Sequence, residues 1–363
     1  MENKSERNYG IDLLRIVSML MVVTLHVLGK GNLLYNENVE IFSMKYNILW
    51  ILEIMSYCAV NCYALISGFV GVKSKFKYSN ILILWLQVVF YTVTISFVFS
   101  KLGINYFSKT ELIESFFPVL NSKYWYFTAY FSMFFLIPIF NSAINNIPEK
   151  QLRVIIFSLI LVFSIFPTIY IADVFKISRG YHVLWLSILY LVGGYISKYQ
   201  IKFNFKFDKI ILLILYFVCV VITFFIKRYS DYMLINNIEF KFSLMEYVSP
   251  TILICSITLL LFFSKIKIRT KFLKNIIIFG GQLCFSIYLI HEHELVREYF
   301  IVDKFAYFLN FYSFDMILKI VYTVLEICLV CMFIDVFRWF LFRVLKLKKL
   351  FINIENFLLK INL

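Results

Sequence analysis

Apolar runs close to the length that carries a helix through a bilayer recur from one end of the chain to the other. They cover residues 11–28, 46–70, 80–100, 124–143, 152–172, 181–198, 209–227, 247–264, 276–293 and 316–338. A hydrocarbon layer of about 30 Å takes roughly 20 residues of helix. Within it every backbone N–H and C=O must be satisfied internally. The chain is therefore predicted to be all-α, a polytopic membrane protein of about ten transmembrane helices. Its balance of 61% hydrophobic against 16% charged residues over 363 agrees, as does a mean hydropathy of +0.82. A soluble domain of this size does not have such a composition. We expect residues 1–363 to form a single transmembrane domain with no appended soluble domain.

The net charge of +14 does not imply nucleic acid, because the Lys and Arg residues are dispersed through short loops between apolar runs. They read instead as topology determinants and contacts to membrane lipids. With the N-terminus inside, 22 fall on the inner side, among them Lys4, Lys73, Lys75, Lys202, Lys206 and Lys265, and 12 on the outer side. This bias puts both termini in the cytoplasm. The polar stretch from Lys101 to Asn121 suits an interfacial amphipathic helix. No small-residue cleavage site follows Leu28, so the first run is expected to be retained as a helix. All seven cysteines fall inside the runs and read as apolar fillers, giving neither a disulfide framework nor a metal site.

The first run carries two residues that an ordinary anchor lacks, Arg15 and His26. Eleven residues at about 100° each return to within about 20° of the starting direction, so both side chains lie on one stripe, roughly 16 Å apart along the axis. Asp12, three residues before Arg15, is placed to neutralise it. Ionisable groups inside a membrane usually face a protein interior or a water-filled cavity, so the stripe should point into a bundle. The plainer alternative is a snorkelling arginine and a satisfied core histidine. The ninth run ends in SIYLIHEHE, which brings His291 and His293 to the outer level of His26, and Glu53 in the second run reaches a similar depth. An imidazole oriented by a carboxylate is the arrangement of a general base. His26 with Glu53 as its orienter is therefore one reading; a buried, protonated Glu53 and interfacial histidines at a helix end are the other. Asn61 and Gln87 read as interhelical hydrogen-bond partners, and Asp335 can pair with Arg338. Soluble-enzyme signatures such as GxSxG, HExxH and the P-loop are absent.

Four stretches, taken in order, resemble the acyltransferase-3 family of bacterial integral membrane acyltransferases. GIDLLRIVSMLMVVTLH has the family's Arg, ten residues, His pattern at Arg15 and His26. VNCYALISGFVG resembles its apolar run closing in Ser-Gly-Phe, here Ser67, Gly68 and Phe69. KYWYFTAYFSMFFLIPIFN is similar to its aromatic segment followed by a helix and a proline, here Trp125 to Phe127 and Pro138. FSIYLIHEH resembles the Ser-x-Tyr-x-x-x-His ending of a late helix, here Ser286, Tyr288 and His291.

The resemblance implies an acyl-CoA donor, most simply acetyl-CoA, on the cytoplasmic side. It also implies a hydroxyl acceptor on a cell-surface polysaccharide or undecaprenyl-linked glycan, and a place in the bacterial cell membrane. No resident cofactor is expected. On this chain His26 would be the base or acyl relay and Arg15 the cation for the donor's anionic groups. Ser67, Trp125, Tyr126, His291, Lys73 and Lys75 would be substrate-binding, with Trp125 and Tyr126 stacking on a sugar ring or forming an ordinary interfacial belt. Two departures matter. An Arg-x-x-Arg pair common after Ser-Gly-Phe is replaced by VKSKFKYSN, whose lysines lack the bidentate guanidinium fork. The extracytoplasmic esterase-like domain of long members is also missing, which implies that the chain acts alone or hands its acyl group to a separate extracytoplasmic transferase. A different acyl group stays open. The rival from another class is a transporter or flippase of a lipid-linked glycan, with the same residues lining a path without chemistry.

Overall fold

The computed structural model describes residues 7–105, 108–170, 173–199 and 208–360. Lys4, Lys202 and Lys206 of the inward set, and the last two residues of the 152–172 run, lie outside them. Among the described residues every regular element is helical. In chain order the α-helices are α1 (Tyr9–Gly29), α2 (Met44–Tyr57), α3 (Ala59–Gly71), α4 (Tyr78–Lys101), α5 (Lys109–Phe116), α6 (Trp125–Phe134), α7 (Ile137–Asn146) and α8 (Glu149–Ile160). They continue with α9 (Phe166–Tyr170), α10 (Val183–Tyr199), α11 (Asp208–Ile235), α12 (Pro250–Ser264), α13 (Lys271–His291), α14 (Glu294–Phe300), α15 (Ser313–Val344) and α16 (Leu347–Leu358).

Among the described residues seven helices are long and apolar enough to cross a membrane, α2 with α3 and α8 with α9 each counting as one. The pair α6 and α7, bent by 56°, makes an eighth if it is one span. Pro138 sits at the start of α7, where its missing N–H and its ring break the ladder and set the bend. The two other expected runs fold as apolar helices of 17 and 15 residues, α10 and α12, shorter than a straight crossing needs. Among the described residues each of the ten apolar runs is thus largely helical, but ten full-length spans are not present. Within the polar stretch from Lys101 to Asn121 lies the eight-residue α5, started by a reciprocal capping box between Ser108 and Glu111.

The helix with the polar stripe is central: α1 packs against α2, α3, α12, α13 and α15. That position hides Arg15 and His26 from lipid. Elsewhere the packing follows the small-residue rule of membrane helices, which lack a hydrophobic drive to associate and gain by close backbone approach. At the α3–α10 crossing a Cβ on Gly68 would lie 1.9 Å from the Tyr190 carbonyl oxygen, and one on Gly193 would lie 2.0 Å from that of Leu65. The glycine of the Ser-Gly-Phe run is therefore a packing residue.

Long-range hydrogen bonds define the two ends of the bundle. At one, Asn8 caps α1 and donates to Ser264 O at 2.8 Å, Lys265 pairs with Asp208, and Glu355 accepts from the Tyr78 and Ser79 N–H groups at 2.7 and 3.1 Å. At the other, Lys45 donates to Leu309 O at 2.6 Å and the Asp303 N–H donates to Lys30 O at 3.1 Å. All seven cysteines are buried and none is in a disulfide.

Candidate active site

A cavity of about 380 Å³ runs beside α1, and both Arg15 and His26 line it. Ser67, Trp125 and Tyr126 line it as well. Five residues singled out from three separate stretches of sequence thus meet around one space. At the Arg15 end, the guanidinium holds Asp12 at 3.0 Å, and Asp12 is shared with Arg7 at 2.6 Å. The i, i+3 pairing expected from sequence is present. At the same level the Tyr63 hydroxyl donates to Arg15 O at 2.7 Å, fixing α3 against α1. Trp125 stacks on Tyr247 with ring centroids 5.9 Å apart and planes 19° from parallel, and Tyr181 lies against both rings.

At the other end His26 Nδ1 lies 2.8 Å from His291 Nε2 and 3.2 Å from Glu292 Oε1. His291 Nδ1 in turn lies 2.5 Å from the Ile287 carbonyl oxygen. A carbonyl only accepts, so His291 Nδ1 carries the proton. With both rings neutral, His291 Nε2 accepts from His26 Nδ1–H, and the lone pair of His26 is left on Nε2. In that arrangement His26 Nε2 is the ring nitrogen able to accept a proton. Glu292 accepts from Lys30 through both oxygens, at 2.5 and 2.7 Å, and Arg297 stands 3.9 Å away. Burial alone would raise the Glu292 carboxyl, but the positive charge around it, with the Lys30 ammonium bonded to both oxygens, holds the group below the usual range, ionised.

The carboxylate beside His26 is thus that of Glu292, not Glu53. Glu53 is buried on α2, and its Oε2 has no hydrogen-bond partner among the described residues. The azimuth of α2, which sequence does not give, decides where its side chain points. Lys73 and Lys75 are exposed in the loop after α3 and do not line the cavity. His293 caps α14 by accepting from the Leu295 N–H at 3.3 Å. Lys30 and Glu292 were missed by sequence reading. Lys30 is four residues after His26 and Glu292 lies inside the HEH run, so a charge pair on either side of the histidines was there to be seen.

His26, His291 and Glu292 offer ligand atoms within 4.8 Å of one another. Both oxygens of Glu292 are already held by the Lys30 ammonium, and a second cation beside Lys30 and Arg297 would be repelled. The donor set suits a hydrogen-bonded base better than a metal.

A family model described as an acyltransferase domain matches residues 8–339, which takes in all four motif stretches. The chain belongs to the acyltransferase-3 family. No curated protein and no solved structure matches it. Membership makes this a multi-pass membrane protein with an acyltransferase domain.

Proposed function

We propose that this acyltransferase-3 protein moves an acyl group, in the first instance acetyl, from acyl-CoA to a hydroxyl of a cell-surface or undecaprenyl-linked polysaccharide. The observation that carries this reading is a single cavity with a cation, Arg15, toward one end and an oriented base, His26, toward the other. The diphosphate of the donor needs a fixed cation and its thioester needs a base-bearing site within reach. His26 Nε2 takes the proton of the acceptor hydroxyl, the oxygen adds to the thioester carbonyl, and a tetrahedral oxyanion forms. Collapse breaks the C–S bond, and the departing thiolate takes the proton from His26. Glu292 beside Nδ1 steadies the imidazolium in between.

The same reading puts the Arg15 end in the cytoplasm of a bacterial cell. If α10, α12 and the bent pair cross along with the seven long spans, the chain makes ten crossings and both termini lie on that side. Trp125 and Tyr126 then meet the acceptor sugar from the outer side. No resident cofactor takes part; the acyl-CoA is consumed as a substrate.

The test is the O-acetyl content of surface glycans, by proton NMR, in a deletion strain complemented with wild type, His26→Ala or Arg15→Ala at matched membrane expression. Restoration by wild type alone supports the reading. Restoration by His26→Ala sinks it, and an intact acetyl-CoA pool with continued glycan export would favour the flippase instead.

A further inference from the structure

A second cavity, of about 190 Å³, adjoins the first, and the acyl-transfer steps use none of its residues. Its lining includes two cations, Arg179 and Lys241, and two carboxylates, Asp173 and Glu246. Two short segments form the partition between this polar space and the His26 cavity. In the first, Arg179 lines the polar space, and Tyr181, two residues on, lies against Trp125 with ring centroids 4.4 Å apart. In the second, Glu246 and Val248 line the polar space, while Tyr247 between them lines the His26 cavity. Consecutive Cα atoms are about 3.8 Å apart, so little more than one backbone separates the two spaces. Gly180 lets the segments meet: its φ is +102°, and a Cβ there would lie 2.7 Å from that of Tyr247. On the polar face of the partition Arg179 Nε stands 3.5 Å from Glu246 Oε1.

The partition is held in an unusual backbone conformation. Lys176, Ser178 and Arg179 take left-handed φ of 50°, 49° and 55°, which residues with a Cβ seldom adopt. Asp173 enforces it by accepting from the Ile177 and Ser178 N–H groups, each at 2.8 Å. The second segment is pinned from the π-helical turn Leu161–Ile165, between α8 and α9, where the Ser164 hydroxyl donates to Val248 O. Strained backbone that its neighbours over-determine clusters at ligand sites, and π-turns are frequent at functional positions. Both Asp173 oxygens are given to the loop, and Lys241 is paired with Glu239 at 2.7 Å. Arg179 and Glu246, with side chains 74% and 22% exposed, are the charged groups left to face a ligand.

We propose that this polar cavity is a second acceptor subsite, holding a neutral sugar unit next to the one that is acylated. The inference deepens the polysaccharide-acceptor reading and rests on it. A polymeric acceptor with one unit at Trp125 and Tyr126 continues past the partition, and the space beyond suits hydroxyl groups. A guanidinium only donates and a carboxylate only accepts, whereas a hydroxyl does both. The Arg179–Glu246 pair therefore serves two neighbouring hydroxyls of one ring. The balance of two cations with two carboxylates favours a neutral sugar over a uronate or a phosphate. Such a subsite gives the enzyme a preference for a chain over a single sugar.

The experiment uses the full-length protein in nanodiscs with acetyl-CoA as donor. The acceptors are fragments of the surface glycan from the deletion strain, partly hydrolysed and sorted by size from a single sugar upward. Transfer is read by mass spectrometry and by release of the CoA thiol. Wild type is compared with Glu246→Gln and with Arg179→Asn, since asparagine tolerates a left-handed φ. For fragments of two or more sugars each variant is expected to raise KM by about tenfold, the worth of a hydrogen bond to a charged group. The values of kcat, of KM for acetyl-CoA and of transfer to a single sugar stay at those of wild type. Wild-type KM for the longer fragments in both variants, or the same loss on a single sugar as on longer ones, overturns the inference while the acceptor reading stands. A wild type that acylates no fragment overturns both.

Discussion

His26 Nδ1 and His291 Nε2 lie 2.8 Å apart although 265 residues separate them, and this one hydrogen bond ties the first transmembrane helix to the end of α13. It also assigns the tautomer of the proposed base. His26→Ala should remove the general-base contribution, a loss of about 10²–10⁴ in rate. His291→Ala keeps the base but frees its ring, and should lower kcat by about 10² through misorientation while the donor's KM stays put. Steady-state kinetics on the purified protein separate the two; an unchanged kcat in His291→Ala would remove His291 from the base assembly.

Glu292 and Lys30 form a partly buried pair, with side chains 9% and 34% exposed. Removing one partner leaves the other charge uncompensated. Glu292→Gln should cost about 3 kcal/mol, the low end for a broken buried pair because Lys30 still reaches solvent. The double variant Glu292→Gln with Lys30→Met should recover part of that loss in thermal unfolding but not the activity. Strictly additive losses in stability would show that the two charges do not interact.

His293 gives a pH dependence with a definite sign. Burial lowers its imidazole from an ordinary value near 6.5 to about 4, and its Nδ1 must be unprotonated to accept the Leu295 N–H. The folded state therefore refuses a proton that the unfolded chain takes. Its contribution is complete above about pH 6.5 and is lost as pH falls toward 4. The unfolding midpoint should drop across that window, and His293→Asn, whose amide oxygen caps without titrating, should flatten the drop. Parallel pH curves for the two proteins would assign the effect elsewhere.

Gly68→Ala should be the most damaging single-methyl change at the α3–α10 crossing, since its Cβ would sit 1.9 Å from a backbone oxygen that cannot move aside. Overpacking of this kind costs about 1–3 kcal/mol or more. Gly29→Ala, which meets nothing within 4 Å, is the control. Equal midpoints for the two variants would show that the helices do not approach as closely as described.

Much of this protein was legible in its residues because the bilayer imposes a length and a polarity on every crossing. Helix periodicity put Arg15 and His26 on one stripe, and the cost of a charge in lipid sent that stripe inward, where α1 is the central helix. The Asp12–Arg15 and Asp335–Arg338 pairs were readable for the same reason, being separated by one turn of a single helix. What local spacing could not supply is the rotation of one helix against another. Glu53 and Glu292 stand at similar expected depths, and only packing decided that Glu292 meets His26. Tertiary structure likewise decided that α10 and α12 are short and that α6 and α7 bend at Pro138. The sequence by itself determined the class, the helices and the buried stripe, because those follow from each residue's transfer free energy and a fixed helical period. The histidine–carboxylate cluster and the cavity came only with the tertiary structure, because they depend on contacts between helices remote in the chain.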